Sequence, residues 1–391
     1  MKSSLDSMCL NIIDCEHKTS PLDESGEFFA VGTPAMRGNV IDFGQARRIS
    51  EDTFKTWTRR LRPQFGDLLF AREAPVGPVV LIPKEENVAA GQRTVLLRPD
   101  PKKLNTRFLY YLLSSPKQQR QIESLAAGST VAHLNVADVR SLEIQVPAIV
   151  EQQAIAEVLG ALDDKIAANA KLSRTADLLA GYLFDQTAST VPSVPMSEVL
   201  TPVLGGTPAR ANTDFWNGGE LWASAKDITG APFAVILATE EKITQQAVER
   251  SKAKPLPKGS VILTARGTVG AVARLAVPSS FNQSCYGFVP NELPPGLLYF
   301  SILRAAQHAK SLAHGSVFDT ITMRTFDHLL IPNFGEAGAF AEAQIAPLLE
   351  VVAANVLENA SLATIRDALL PQLMSGKLCV KDAEALVESA V

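Results

Sequence analysis

The sequence predicts an α+β protein of mixed α/β character: two similar globular domains separated by two long helices, which form an antiparallel coiled coil about an internal pseudo-two-fold. Three observations predict it. Short segments recur in the same order at nearly constant offset, two stretches carry apolar residues at helical spacing, and charge alternates along the chain in blocks.

The repeat organises the chain. GDLLFAREAPVG from Gly66 to Gly77 matches GSVILTARGTVG from Gly259 to Gly270 at an offset of 193 without a gap. Glu27–Ala30 meets Glu220–Ala223 at the same offset, and Gly91-Gln92-Arg93 meets Asn282-Gln283-Ser284 at 191. FLYYLL (108–113) resembles LLYFSI (297–302). Gly128-Ser129 and Gly315-Ser316 each lead into a short apolar strand ending at Pro147 or Pro332. Finally, 155–183 lies over 345–373 at an offset of 190.

Within the globular blocks, β-rich runs such as VVLIP (79–83), TVLL (94–97), VILTA (261–265) and GFV (287–289) are broken by Gly, Pro and Asn. Helical stretches follow at about 105–125 and 295–312. Parallel βαβ alternation is not evident, so a mostly antiparallel, irregular sheet is expected.

The long helices present a seam. Ile155, Leu159, Leu162 and Ile166, and in the copy Ile345, Leu349, Val352 and Val356, are spaced by 4, 3 and 4 residues. Asn169 and Asn359 follow at core positions. The spacing then breaks, towards Leu172, Leu179 and Leu183 in one copy and Leu362, Leu369 and Leu373 in the other. About 28 helical residues span roughly 40 Å. Each apolar stripe needs burial, and the copy is the obvious partner. Equal helices paired about an internal two-fold run antiparallel, which brings the asparagines near the axis. There they either fix register or remain as surface residues. Pro347 is expected in the first turn or at a kink, and Pro371 at an end or a kink.

The net charge of −4 hides a partition: +2 over 1–148, −3 over 149–191, +2 over 192–335 and −5 over 336–391. Two weakly basic blocks alternate with two acidic helical ones. The four cysteines form no CxxC pair, so a disulfide framework or zinc finger is not expected. No apolar run approaches the roughly 18 residues of a membrane span, and the N-terminus lacks a signal-peptide core. A cytoplasmic location without membrane contact is the expectation.

Catalytic patterns are missing. His17, His133, His308, His314 and His328 are scattered, without metal-ligand spacing. There is no nucleophile elbow and no Walker loop, and Gly205-Gly206-Thr207-Pro208 reads as a turn rather than a phosphate cradle. Asp163 and Asp164 read as a solvated helix face. No catalytic residue, metal site or cofactor is expected, and a duplicated chain without catalytic groups suits the binding of something bipartite.

Arginine reads guanine edges and Asn or Gln reads adenine edges, while other cations hold phosphates. The first block offers His17, Lys18, Thr19, Arg37, Asn39, Arg72, Gln92 and Arg93, with Arg47, Arg48, Arg59 and Arg60 nearby. The second offers Thr207, Arg210, Asn217, Lys226, Arg266, Asn282 and Gln283, with Asn212, Trp216 and Thr268 nearby. The recurring Arg72/Arg266 and Gln92/Gln283 pairs are the preferred contacts. Alternatively, recurring residues keep the shared fold, and divergent loops around 33–48 and 207–220 carry specificity.

The order of these pieces resembles the specificity subunit of type I restriction-modification systems over nearly the whole chain. GDLLFAREAPVG, GSVILTARGTVG, EQQAIAEVLGALDDKI and the closing LLPQLMSGKL (369–378) carry the resemblance, with IIDCEHKTSP (12–21) and the stretch 205–228 as domain openings. It implies target recognition domains at 1–148 and 196–335. A central spacer helix would occupy 149–186, a linker 187–195, a C-terminal spacer helix 336–378 and a tail 379–391. Each domain would bind one half of a split sequence in double-stranded DNA, and the helices would act as a ruler. Two modification subunits holding S-adenosylmethionine would dock on this chain, and restriction subunits would join. The chain itself would be a non-catalytic DNA-binding subunit that binds no cofactor. The helix length is close to one DNA turn of roughly 34 Å. A specificity subunit of a methylation-only or fused-enzyme system, or a duplicated protein-binding scaffold without DNA binding, are the alternatives.

Overall fold

The computed structural model describes residues 2–127, 132–312 and 320–390. Gly128, Ser129, His314, Gly315 and Ser316 lie outside the described residues. The chain divides into two compact units. The first is Met1–Asp164 with Leu362–Val391, and the second is Lys165–Ser361.

In the first unit a four-stranded antiparallel sheet runs in the order Cys9–Asp14, Thr94–Pro99, Leu68–Arg72, Val76–Leu81. Leu68–Arg72 is buried along its whole length because both of its faces are covered, which explains its continuous apolar run. A three-stranded sheet, Arg47–Ile49, Phe28–Val31 and Val88–Ala90, adds one parallel pair. Lys2–Ser4 pairs with Glu143–Gln145.

The second unit repeats this plan. Its five-stranded sheet runs Val203–Leu204, Cys285–Phe288, Val261–Thr264, Val272–Leu275, Val235–Ile236, with only the last pairing parallel. Glu241–Ile243, Trp216–Ala223 and Ser280–Phe281 form the three-stranded sheet, and Ser193–Pro195 pairs with Leu330–Pro332. Mostly antiparallel pairing with irregular sheets agrees with the sequence expectation. The helix expected near 105–125 is two helices, Thr106–Ser114 and Pro116–Ala126, because Pro116 opens the second behind the Ser115 cap. Its counterpart Pro295–Leu312 is continuous.

Strand register defines equivalence. Leu68 faces Leu97 as Val261 faces Phe288, and the Arg72 amide bonds to the Arg93 carbonyl as the Ala265 amide bonds to that of Ser284. The Leu134 amide bonds to the Arg72 carbonyl, and the Ile321 amide to that of Ala265. Arg72 is therefore equivalent to Ala265, and Arg266 to Glu73, so the sequence pairing of Arg72 with Arg266 is one residue out of register. Gln92 and Gln283 do correspond.

The long helices run Ile149–Ala188 and Ala337–Ser375. In the second unit the Asn169 amide donates to Asn359 Oδ1 at 3.0 Å and Glu358 Oε2 at 2.7 Å, and Asn355 donates to Ser173 Oγ at 3.1 Å. Contacts descend along one helix as they ascend the other, so the pair is antiparallel. In the first unit Arg366 Nη1 donates to Asp163 Oδ1 at 2.7 Å in the same sense. Ile155, Leu159, Leu162, Asn169, Ile345, Leu349, Val352, Val356 and Leu362 are buried, with Ile166 and Asn359 half-buried.

The seam does not break where the sequence suggested. Leu172 is 52% exposed and Leu179 46%, whereas Ser173, Ala176, Ala180 and Phe184 are buried. The spacing of 4 and 3 continues after Asn169 through small and polar residues, which a hydrophobic pattern does not register. Pro347 and Pro371 both lie inside the second helix, past its first turn, where each removes a backbone hydrogen bond that helix packing must offset. That helix ends at Gly376, whose φ of 70° needs no Cβ, with the Lys377 amide bonded to the Gln372 carbonyl. The expected tail instead contains the helix Val380–Ala390.

The expectation that no stretch is apolar enough to span a bilayer is corrected by Ala337–Ser375. By length and composition it is long and apolar enough, its best window reaching a mean hydropathy of 1.4. The same helix buries Asn355 in hydrogen bonds to the other long helix.

Candidate nucleic-acid interface

In the first unit the turn Gly91–Arg93 joins the two sheets, and the segment after strand Cys9–Asp14 runs beside it. Thr19 Oγ1 donates to Gln92 Oε1 at 3.3 Å, which brings the His17–Thr19 segment to the turn. His17 Nε2 lies 2.8 Å from Asp14 Oδ2. Lys18, Gln92 and Arg93 are exposed, and Arg93 holds a φ of 68° with its Nε 3.4 Å from Glu73. His17, Lys18, Thr19, Gln92 and Arg93 thus form one polar, cationic surface. Arg37 is exposed on a separate turn.

Two of the chosen residues are structural. Arg72 is buried beneath this surface, donating to the Leu134 carbonyl at 3.2 Å and lying 3.3 Å from Asp14. A guanidinium held there braces the turn and presents no free fork to a base. Asn39 has a φ of 60°, and its Oδ1 accepts the Val79 amide at 3.0 Å. Asparagine tolerates that left-handed backbone, so the residue type serves the turn.

The second unit places Gly205-Gly206 beside its matching turn. The glycines allow close packing: a Cβ on Gly205 would lie 2.2 Å from the Asn282 oxygen, and one on Gly206 would lie 2.2 Å from the Lys252 carbonyl carbon. Thr207 is half-buried. Asn282 is occupied at home, its Oδ1 accepting the Ser284 amide at 2.6 Å. Gln283 and Arg266 are exposed. Asn217 is exposed at an irregularity in strand Trp216–Ala223, with a φ of 61°. Lys226 pairs with Glu240 at 2.7 Å on the surface.

Arg210 is the most constrained of these. It donates to Glu241 Oε2 at 2.8 Å and lies 3.8 Å from the Trp216 ring centre and 5.2 Å from that of Trp222. Hydrogen bonding raises its pKa and lowers that of Glu241. Trp222 is buried and donates to the Gly206 carbonyl at 2.8 Å, tying this cage to the glycine segment. Glu241 and Trp222 went unchosen from the sequence, although the paired tryptophans of FWNGGELW were the available signal. Lys242, Arg250 and Lys252 are further exposed cations of this unit, the last two beside and within the cation-rich run SKAKPLPK (251–258).

The solvated-face reading holds for Asp164, which is exposed, but not for Asp163, which is half-buried in a hydrogen-bond network. Asp163 accepts from Tyr111 Oη at 2.5 Å and from Arg366, and Asp164 accepts from Arg107 Nη1 at 2.8 Å. Burial first, then Asp163, pushes the Tyr111 phenol upward. The cysteines are free thiols, and burial pushes Cys9 up to about 12 and Cys285 to about 11.

The chain matches the family described as type I restriction modification DNA specificity domain over residues 22–176 and 193–333. It is 21% identical over 399 residues to the type I restriction enzyme HindI specificity subunit of Haemophilus influenzae, covering 80% of this chain and 86% of that one. It is 28% identical over 131 residues to the MjaIX specificity subunit of Methanocaldococcus jannaschii, spanning only 30% of that protein. The crystal structure of a type I restriction-modification S subunit from M. genitalium shares the fold, with a TM-score of 0.63, 18% identity and 95% of each chain covered.

Proposed function

Because this chain belongs to the type I restriction-modification DNA specificity family and is a specificity subunit, a DNA-recognition protein rather than an enzyme, we propose that each unit reads one half of a bipartite double-stranded DNA target. The long helices set the spacing and dock two modification subunits, and restriction subunits complete the assembly in the cytoplasm. The chain binds no cofactor itself, and S-adenosylmethionine is held by the modification subunits. One observation carries this reading: the duplicated topology presents an exposed glutamine, Gln92 or Gln283, at the same turn of each unit, beside segments that differ between units. A protein-only scaffold gives no reason for that arrangement, and the family match favours DNA.

Lys18 and Arg93 supply exposed cations beside the Gln92 turn, and Arg37, Arg210, Asn217, Lys226 and Arg266 are exposed elsewhere on the two units. Each block carries only +2, and phosphate neutralisation supplies much of DNA affinity. Tight binding therefore requires the modification subunits. Methylome sequencing of cells expressing the chain with its modification partner tests the reading. Gln283→Ala should alter or erase one half of the methylated motif and leave the other intact, and a change in both halves would refute independent reading. In a gel shift, equal affinity of the isolated chain and the complex would refute the dependence on partners.

A further inference from the structure

Arg93 stands apart from its counterpart by its backbone. It closes the turn before strand Thr94–Pro99, and its φ of 68° is left-handed. Arginine has no special tolerance for that region, where glycine and asparagine are the usual residues. The turn itself is firmly tied. The Gly91 amide donates to the Val31 carbonyl at 2.9 Å, Thr94 Oγ1 to the Gly91 carbonyl at 2.8 Å, and the Arg72 amide to the Arg93 carbonyl at 2.9 Å. Ser284 makes the same bond to Ala265 in the second unit and has no positive φ. The shared fold therefore does not demand the left-handed backbone. A strained position that the fold does not require serves the side chain it presents.

The Arg93 side chain is half exposed, and Glu73 engages one edge of it, with Nε 3.4 Å from Oε1. Glu73 is itself fixed. It follows buried Arg72 and pairs with His133 as an isolated antiparallel bridge. Nη1 and Nη2 of Arg93 have no acceptor among the described residues. This arrangement suits a base better than a phosphate. Glu73 offsets the local positive charge and repels a phosphate, which weakens a purely electrostatic contact. What the carboxylate supplies is direction. An arginine held at Nε presents its two terminal donors side by side, and these match the O6 and N7 acceptors of guanine in the major groove. The second unit has neither part: Arg266 stands in the place of Glu73, and Ser284 in that of Arg93, its amide bonded to Asn282 Oδ1 at 2.6 Å.

We propose that Arg93 is the specificity-determining residue of the first unit: its Nη1 and Nη2 donate to O6 and N7 of one guanine in that unit's half-site, and Glu73 is the positioning residue. This rests on the reading that each unit recognises one half of the target. The full-length chain in complex with its modification subunits tests it, through the rate of methyl transfer to subsaturating duplexes of the motif methylated in cells. The half-site in question is the one that Gln283→Ala leaves intact. Each of its guanines is replaced in turn by 7-deazaguanine, which keeps base pairing but lacks the N7 acceptor. One replacement should slow the unaltered complex roughly tenfold or more. Arg93→Ala should be slow on the unmodified duplex and indifferent to that replacement. Arg93→Gly, which relieves the left-handed backbone, should behave alike and guards against a folding defect. Glu73→Gln should shrink the discrimination severalfold. A half-site without guanine, a uniform slowing by Arg93→Ala with sensitivity to 7-deazaguanine retained, or undiminished discrimination in Glu73→Gln would overturn the proposal while leaving the two-reader function standing. A complex that methylates no split motif would overturn both.

Discussion

The two units carry the same backbone plan but join their long helices with different chemistry. In the first, Asp163 links Tyr111 to Arg366, and Asp164 holds Arg107. In the second, the positions equivalent to Asp163 and Arg366 are Ala353 and Ala176, which pack with Val352, Val356 and Val235. Phe184 adds aromatic contacts 5.5 Å from both Phe300 and Phe334. An ion pair in one copy and alanine packing in the other satisfy the same helix crossing. What persisted through the duplication is backbone hydrogen bonding and helical period, while side-chain chemistry diverged.

That contrast can be broken most strongly at Phe184, which is 1% exposed. Phe184→Ala should destabilise the second unit by about 3–5 kcal/mol. Urea unfolding followed by probes in each unit should show the second melting early while the first is unchanged. Equal loss in both would mean the two units unfold as one.

The next test exchanges the seam the sequence indicated for the one that formed. Ser173→Leu places a large side chain at a buried position and strips Asn355 of a partner, which should cost about 1–3 kcal/mol for overpacking alone. Leu172→Ala removes an exposed side chain and should stay within about 0.5 kcal/mol. Chemical denaturation that reversed this order would place Leu172 back in the seam.

A double-mutant cycle asks whether the first unit accepts the chemistry of the second. Arg366→Ala alone should cost about 1–3 kcal/mol by leaving half-buried Asp163 short of its cation. Asp163→Ala with Arg366→Ala recreates the alanine pair and should recover much of that loss. Strictly additive costs would show that the pair is not coupled.

The smallest expected effect is on pH dependence. Arg107 holds the Asp164 carboxyl below its ordinary value of 3.8. The stabilisation is thus present above that pH and fades as pH falls through the lowered value. Asp164→Asn should flatten the stability curve of the first unit on the acid side, by well under 1 kcal/mol because the pair is largely exposed. An unchanged acid limb would remove Asp164 from the account.

The duplication, the antiparallel helices and the buried Ile155, Leu159, Leu162, Ile345, Leu349 and Val352 were legible in the sequence. Apolar period and repeated order are local signals, and burial follows from them. The exposure of Gln92 and Gln283 was also legible, since both sit at turns and turns face solvent. The misreadings share a cause. Arg72, Asn39 and Asn282 are residue types that read bases, but hydrogen bonds to the backbone claim them first, distant for Arg72 and Asn39 and two residues along the chain for Asn282. Ser173 and Ala180 carry too little hydrophobicity to mark a seam by themselves.

By itself the sequence determined the architecture of this protein and its kinship, because spacing, repeat order and charge blocks survive without knowledge of contacts. Only the tertiary structure decided which polar groups are free. It buried Arg72, held Arg210 over Trp216 and against Glu241, moved Asp163 into a network and left the Arg274 guanidinium without a hydrogen-bond acceptor among the described residues. The availability of Arg72, Arg210 and Asp163 depends on partners far away in sequence, and no local pattern encodes them.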